Sequence, residues 1–195
     1  MMMVELTSVS SAALPVAELT DHLRLATGFA DDGSQDAQLE SCLRAALSSI
    51  EARIGKALMR RRFAWQLSKW QSDELQSLPL APVESIESVK VISRSGGETL
   101  VDPARYVLRG DTHRPAILAV GGTLPSPSQG GMIEIEFTAG YGVDWAGVPA
   151  DLRQAVLIQA AEFYGGQADH DTGLPFAVTV LIEPYRAIRL RGGGA

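Results

Sequence analysis

Hydrophobic and polar positions alternate in two rhythms along the chain, and the change of rhythm divides it. Between residues 36 and 56, Leu39, Leu43, Ala46, Leu47, Ile50 and Ile54 fall on one stripe, with Glu40, Arg44, Glu51 and Arg53 largely off it. This spacing predicts a long helix that buries one face, with Gly55 weakening its last turn. Residues 15–24 predict a shorter helix opened by Pro15, with Val16, Leu19 and Leu23 on one side. Between the two, Asp31, Asp32 and Gly33 predict a turn, and Ser34 or Asp36 a cap for the long helix.

After residue 62 the period falls to two. Phe63, Trp65 and Leu67 alternate with Ala64, Gln66 and Ser68, and Ile133, Ile135 and Phe137 alternate with Glu134, Glu136 and Thr138. Both segments read as half-buried strands. Residues 88–93 and 99–102 flank Gly96-Gly97 as a hairpin, and 106–109 and 116–120 read as further short strands. Residues 78–82 form an extended connector and 121–131 an exposed loop. Gly140 and Gly142 around Tyr141 permit a tight change of direction. Helix returns over 149–164, where Pro149 suits the opening and Asp151 complements the positive helix end. A short helix over 175–182 is stopped or kinked by Pro184.

Helix, strands, helix in that order predicts an α+β fold, with N- and C-terminal helices packed beside an antiparallel β-rich middle region. The expected organisation is a flexible arm over 1–13, a single domain over 14–191 and a flexible tail over 192–195. Within the domain, 14–57 reads as helical, 62–138 as β-rich and 148–190 as helical.

Composition changes this picture little. Apolar residues make up 46% and charged residues 21% of the 195, an ordinary globular balance. No apolar run reaches the roughly 18 to 20 residues of a membrane span, and the first residues lack a basic signal-peptide region, so synthesis in the cytoplasm is expected. Cys42 is the one cysteine, which excludes an intrachain disulfide; its helical position reads as packing. The net charge of −6 argues against non-specific nucleic-acid binding, which depends on neutralising phosphates with Lys and Arg. Basic residues still cluster at Arg60–Arg62 and at Arg186, Arg189 and Arg191, as a solvated face or a surface for an acidic protein partner.

No catalytic constellation survives inspection. His22, His113 and His170 are scattered, and Asp169-His170-Asp171 lies in one short loop where neighbouring side chains rarely converge on a metal. Residues 31–36 lack the ligand spacing and closing glutamate of a calcium loop. Gly140-Tyr141-Gly142 follows a strand, but Trp145 stands where a dinucleotide fingerprint needs glycine. Glu134 and Glu136 read as the wet side of a strand, although a carboxylate pair suits acid–base work. The expectation is no enzyme, no metal and no cofactor. Tyr185 with Arg186 and Arg189, beyond a helix-stopping proline, has the composition of an interface anchor or of a solubilising tail.

The succession of motifs resembles the head–tail connector (head-completion adaptor) family of long-tailed phages and gene transfer agents. The residues that carry it are 14–25 (LPVAELTDHLRL), the long helix to Gly55, 78–83 (LPLAPV), 136–142 (EFTAGYG), 148–155 (VPADLRQA), and Leu174-Pro175 with 183–189 (EPYRAIR). The likeness runs in order from 14 to 191; Gly165-Gly166-Gln167, the first residues and the glycine tail depart from it. The resemblance implies a virion structural protein of the phage neck that docks under the portal protein and extends the DNA channel. It implies a platform for the stopper or tail-completion protein and a closed ring of roughly twelve copies. DNA passes through without specific binding, and no membrane is involved. Portal docking in the family involves the C-terminal segment, which here implicates Tyr185, Arg186, Arg189 and Arg191. The alternatives are a tail-side neck or tail-completion protein, and a small cytoplasmic enzyme with an unrecognised site.

Overall fold

A computed structural model of the protein describes residues 2–25, 35–166 and 174–186. The chain folds as two compact units, one of Met1–Ser10 with Lys56–Gly147 and one of Ser11–Gly55 with Val148–Ala195. Helices together with antiparallel sheets make it an α+β protein, with helices toward the chain ends flanking a β-rich middle.

The first unit holds eight strands: β1 (Met2–Glu5), β2 (Arg61–Leu67), β3 (Leu75–Ser77), β4 (Val83–Ile92), β5 (Glu98–Leu100), β6 (Tyr106–Arg109), β7 (Ala116–Ala119) and β8 (Met132–Ala139). Five form one sheet in the order β1-β2-β8-β4-β5, and three form another in the order β3-β7-β6. The alternation read in β2 and β8 is the reason they pair at the centre. Phe63 faces Phe137 and Trp65 faces Ile135 on the buried side, while Ala64 faces Glu136 and Gln66 faces Glu134 on the other. Phe63, Trp65, Val89, Ile133, Ile135 and Phe137 anchor a core that also takes in Ile117 and Leu124. The Phe63 and Phe137 rings stack with centroids 5.7 Å apart.

Two approaches in this unit require glycine. Gly140 adopts φ +135°, and a Cβ there would stand 2.5 Å from the backbone of Met59 and Arg60. Gly142 and Gly147 pack so closely that a Cβ on Gly142 would meet the Gly147 Cα at 2.8 Å. The Arg60 N–H accordingly reaches the Gly142 carbonyl at 2.7 Å, and the Tyr141 N–H reaches Leu58 at 3.1 Å. Lys56 is buried at 1% exposure, with its ammonium donating to the Thr112 carbonyl. Burial pushes its pKa down, partly offset by the charge of Asp111.

The second unit holds α1 (Val16–His22), α2 (Asp36–Ile54), α3 (Ala150–Gly165) and α4 (Phe176–Ile182). All six stripe residues of α2 are buried, and the helix ends at Gly55 in the left-handed conformation. α2 packs on α3, α3 on α4, and α1 on both α2 and α3.

Several sequence expectations need correcting. Met2–Glu5, read as part of a flexible arm, is an edge strand paired with β2, and Ser11–Ala13 form a 3-10 turn. The arm has no period of its own, and the ordering comes from a ladder to residues some sixty positions away. The cap of α2 is Gln35 with no side-chain bond. Tyr185 closes a 3-10 turn (Glu183–Tyr185), within the stretch read as helical to residue 190. The Asp31–Gly33 turn, Ser34, the Asp169–Asp171 cluster, Arg189, Arg191 and the glycine tail lie outside the described residues.

Candidate partner interface at the last helix

Pro175 caps α4, and within the helix Val178 and Ile182 are buried, so the side bearing Phe176 and Val180 points away from the unit. Phe176 is 83% exposed and Val180 54%, an apolar pair one helical turn apart. The sequence of α4 is apolar almost all round, so periodicity alone did not say which side packs.

Pro184 cannot continue the helix, and the chain tightens into the 3-10 turn that delivers Tyr185. The Tyr185 hydroxyl donates to the Asp151 carboxylate, with oxygens at 2.7 and 2.8 Å. Asp151 lies in the first turn of α3, where its charge complements the helix end, and its Oδ1 also accepts the Leu152 N–H at 3.0 Å. Tyr185 is half-buried, and its phenol pKa is pushed up to about 12, first by burial and then by its bond to Asp151 and the charge of that carboxylate. The tyrosine thus fastens the start of the C-terminal segment to α3.

Arg186 follows in extended conformation, exposed, with its guanidinium 2.9 Å from the Glu183 carboxylate. The structure brings Tyr185 and Arg186 to one corner but gives them different work, one bonded inward and one presented outward. Arg189 and Arg191 belong to the undescribed end.

Glu134 and Glu136, the other acidic candidates, lie on the solvent side of the five-stranded sheet. Lys90 Nζ sits 3.5 Å from Glu98, 3.7 Å from Glu134 and 3.6 Å from Glu136, while Arg62 reaches Glu136 at 2.9 Å and Gln66 reaches Glu134 at 2.8 Å. Glu87 on the same sheet accepts from Ser85 and Thr138, which holds its carboxyl below the usual range. A general acid needs a shift in the opposite direction. The arrangement is a web of ion pairs that balances a crowded acidic face. Among the described residues no group of three or more His, Cys, Asp or Glu is placed to hold a metal, and no helix is long and apolar enough to cross a membrane.

No protein-family model and no curated protein matches the chain. Solved structures do. The chain is similar to one in the neck of an empty GTA particle computed with C6 symmetry, at 47% identity, 99% of each chain covered and a TM-score of 0.91. A chain in the virion of a native gene transfer agent particle is also 47% identical, with 99% of each covered and a TM-score of 0.88. In the neck of a native GTA particle computed with C12 symmetry the corresponding values are 42%, 99% and 0.86.

Proposed function

The chain belongs to the family of gene transfer agent neck proteins, and on that premise we propose that it is the head–tail connector of such a particle or of a related phage. It docks under the portal ring, extends the DNA channel and offers the platform on which the stopper or tail is attached. The observation that carries this reading is likeness at 47% identity over 99% of both chains to a protein of the GTA neck. Copies form a closed ring of roughly twelve by head-to-tail contacts, in keeping with the cyclic symmetry of the related necks.

Docking is assigned to the C-terminal segment: Tyr185 fixes where it leaves the helical unit, and Arg186, Arg189 and Arg191 supply the charge. The net charge of −6 supports passage of DNA without adhesion, since like charges do not bind.

Electron microscopy of particles made with and without the gene tests this directly. DNA-filled heads lacking tails, beside free tails, are expected from the deletion. Tails that keep this protein when detached from heads would place it on the tail side, and normal tailed particles would overturn both readings.

A further inference from the structure

Among the described residues no strand pairs with the outer side of β1 or β5, the two edges of the five-stranded sheet, and each edge exposes apolar side chains. Met2, Met3 and Val4 of β1 are 55%, 44% and 44% exposed, and Leu100 of β5 is 63% exposed. Neither strand carries the proline or lysine with which proteins commonly block such edges.

Their backbones are set to pair again. The Leu6 N–H donates to the Arg62 carbonyl at 2.8 Å, so in this antiparallel register residues 2, 4 and 6 bond to β2, and Met3 and Glu5 turn their N–H and C=O outward. On the far edge the Val101 N–H donates to Val89 at 2.8 Å, so residues 99 and 101 face β4, and Glu98 and Leu100 turn outward.

The side chains match as well. One cross-strand row on the solvent side runs Met2, Gln66, Glu134, Lys90, Leu100, a polar row with an exposed apolar residue at each end. The acids near the two edges already have partners: Arg61 lies 3.0 Å from Glu5, and Lys90 lies 3.5 Å from Glu98. Joining the edges therefore brings apolar ends together without setting bare carboxylates against each other. Because every neighbouring pair in the sheet is antiparallel, its first and fifth strands point the same way. A rotation of about 30° between neighbours in a twelve-fold ring nearly preserves that sense.

We propose that these two edges are the two halves of the subunit–subunit contact: β1 of one copy pairs in parallel with β5 of the next copy. The Met3 N–H then meets the Leu100 carbonyl, Met2 packs on Leu100, and one sheet continues from copy to copy. The contact is head-to-tail and uses two different patches, as a closed ring requires. This inference rests on the ring reading above.

The test uses full-length protein in assembled particles. Met3→Pro and Leu100→Pro each remove an outward N–H and leave the internal ladders untouched. Loss of the neck ring in both, with wild-type melting curves for the free chains, is the expected result. Rings that persist in either folded variant would overturn the edge pairing while leaving the ring itself standing. If either proline variant fails to fold, a Cys42→Ala chain carrying Met2→Cys and Leu100→Cys, which the proposed register sets side by side on the solvent face, decides by oxidation. A covalent ladder beyond dimer, absent from either single-cysteine chain, supports the contact; monomer alone from ring-bearing particles overturns it. Wild-type particles with no ring of this protein would overturn both this contact and the reading beneath it.

Discussion

Tyr185 and Lys56 are polar groups that the fold draws inward for opposite reasons. The Tyr185 hydroxyl holds a bond to a carboxylate that also serves a helix end. Tyr185→Phe is therefore expected to cost about 1 to 2 kcal/mol, read from urea melts, because Asp151 loses its donor. The pH dependence follows from the raised phenol. The folded group gives up its proton near 12 and the unfolded one near 10, so the contribution is complete below about 10 and fades as pH rises through 12. A phenolate absorbance titration should show a component near 12 that Tyr185→Phe deletes; Tyr106, also raised by burial and by Asp102, makes the variant necessary for the assignment. Lys56 buries a long stem to bring one ammonium to one carbonyl. Lys56→Ala should cost about 2 to 3 kcal/mol, and Lys56→Met should recover most of that, because the packing of the stem outweighs a desolvated charge. Equal losses in the two variants would instead credit the hydrogen bond to Thr112.

At the scale of elements, the turn after β8 shows how much of a fold one backbone contact can hold. Gly140→Ala forces a side chain onto the Met59–Arg60 backbone in a left-sided conformation, and should cost at least about 2 kcal/mol. Gly110→Ala, with open space and no positive φ, should be close to neutral in the same thermal melts, and a matching loss there would remove the steric explanation. The sequence made this glycine visible as a turn residue, but not the chain segment that passes it. The same division recurs elsewhere. α2, β2 and β8 were legible because each carries its own period over seven or more residues. β1 and β3, four and three residues long, were not; the first is ordered by its ladder to β2, and the second contains Gln76, a buried polar residue that bonds the Gln71 N–H. At the candidate interface, composition picked out Tyr185 and Arg186, whereas Asp151, thirty-four residues away, carries no signal that it receives the hydroxyl. The exposed Phe176 was hidden for the complementary reason, since a short helix apolar on most sides has no readable outward face.

For the whole molecule, charge decides how two associations should respond to salt, and the responses are opposite. Each copy carries a net −6, so bringing copies together accumulates like charge, and that repulsion acts over a screening length of about 10 Å at 0.1 M salt. A subunit contact made of backbone bonds and apolar ends, as between β1 and β5, gains nothing ionic to offset it. Self-association followed by sedimentation should therefore strengthen as salt is raised from about 0.01 to 0.15 M. The docking proposed for the C-terminal segment predicts the other response: on that reading Arg186, Arg189 and Arg191 meet an acidic portal surface, and screening weakens the attraction. Binding of this protein to isolated portal should fall over the same range, and Arg186→Ala with Arg189→Ala and Arg191→Ala should flatten that dependence while leaving self-association unchanged. If both associations weakened together in salt, the subunit contact would have to be ionic, and the web around Lys90, Glu98, Glu134 and Glu136 would be the place to look for it.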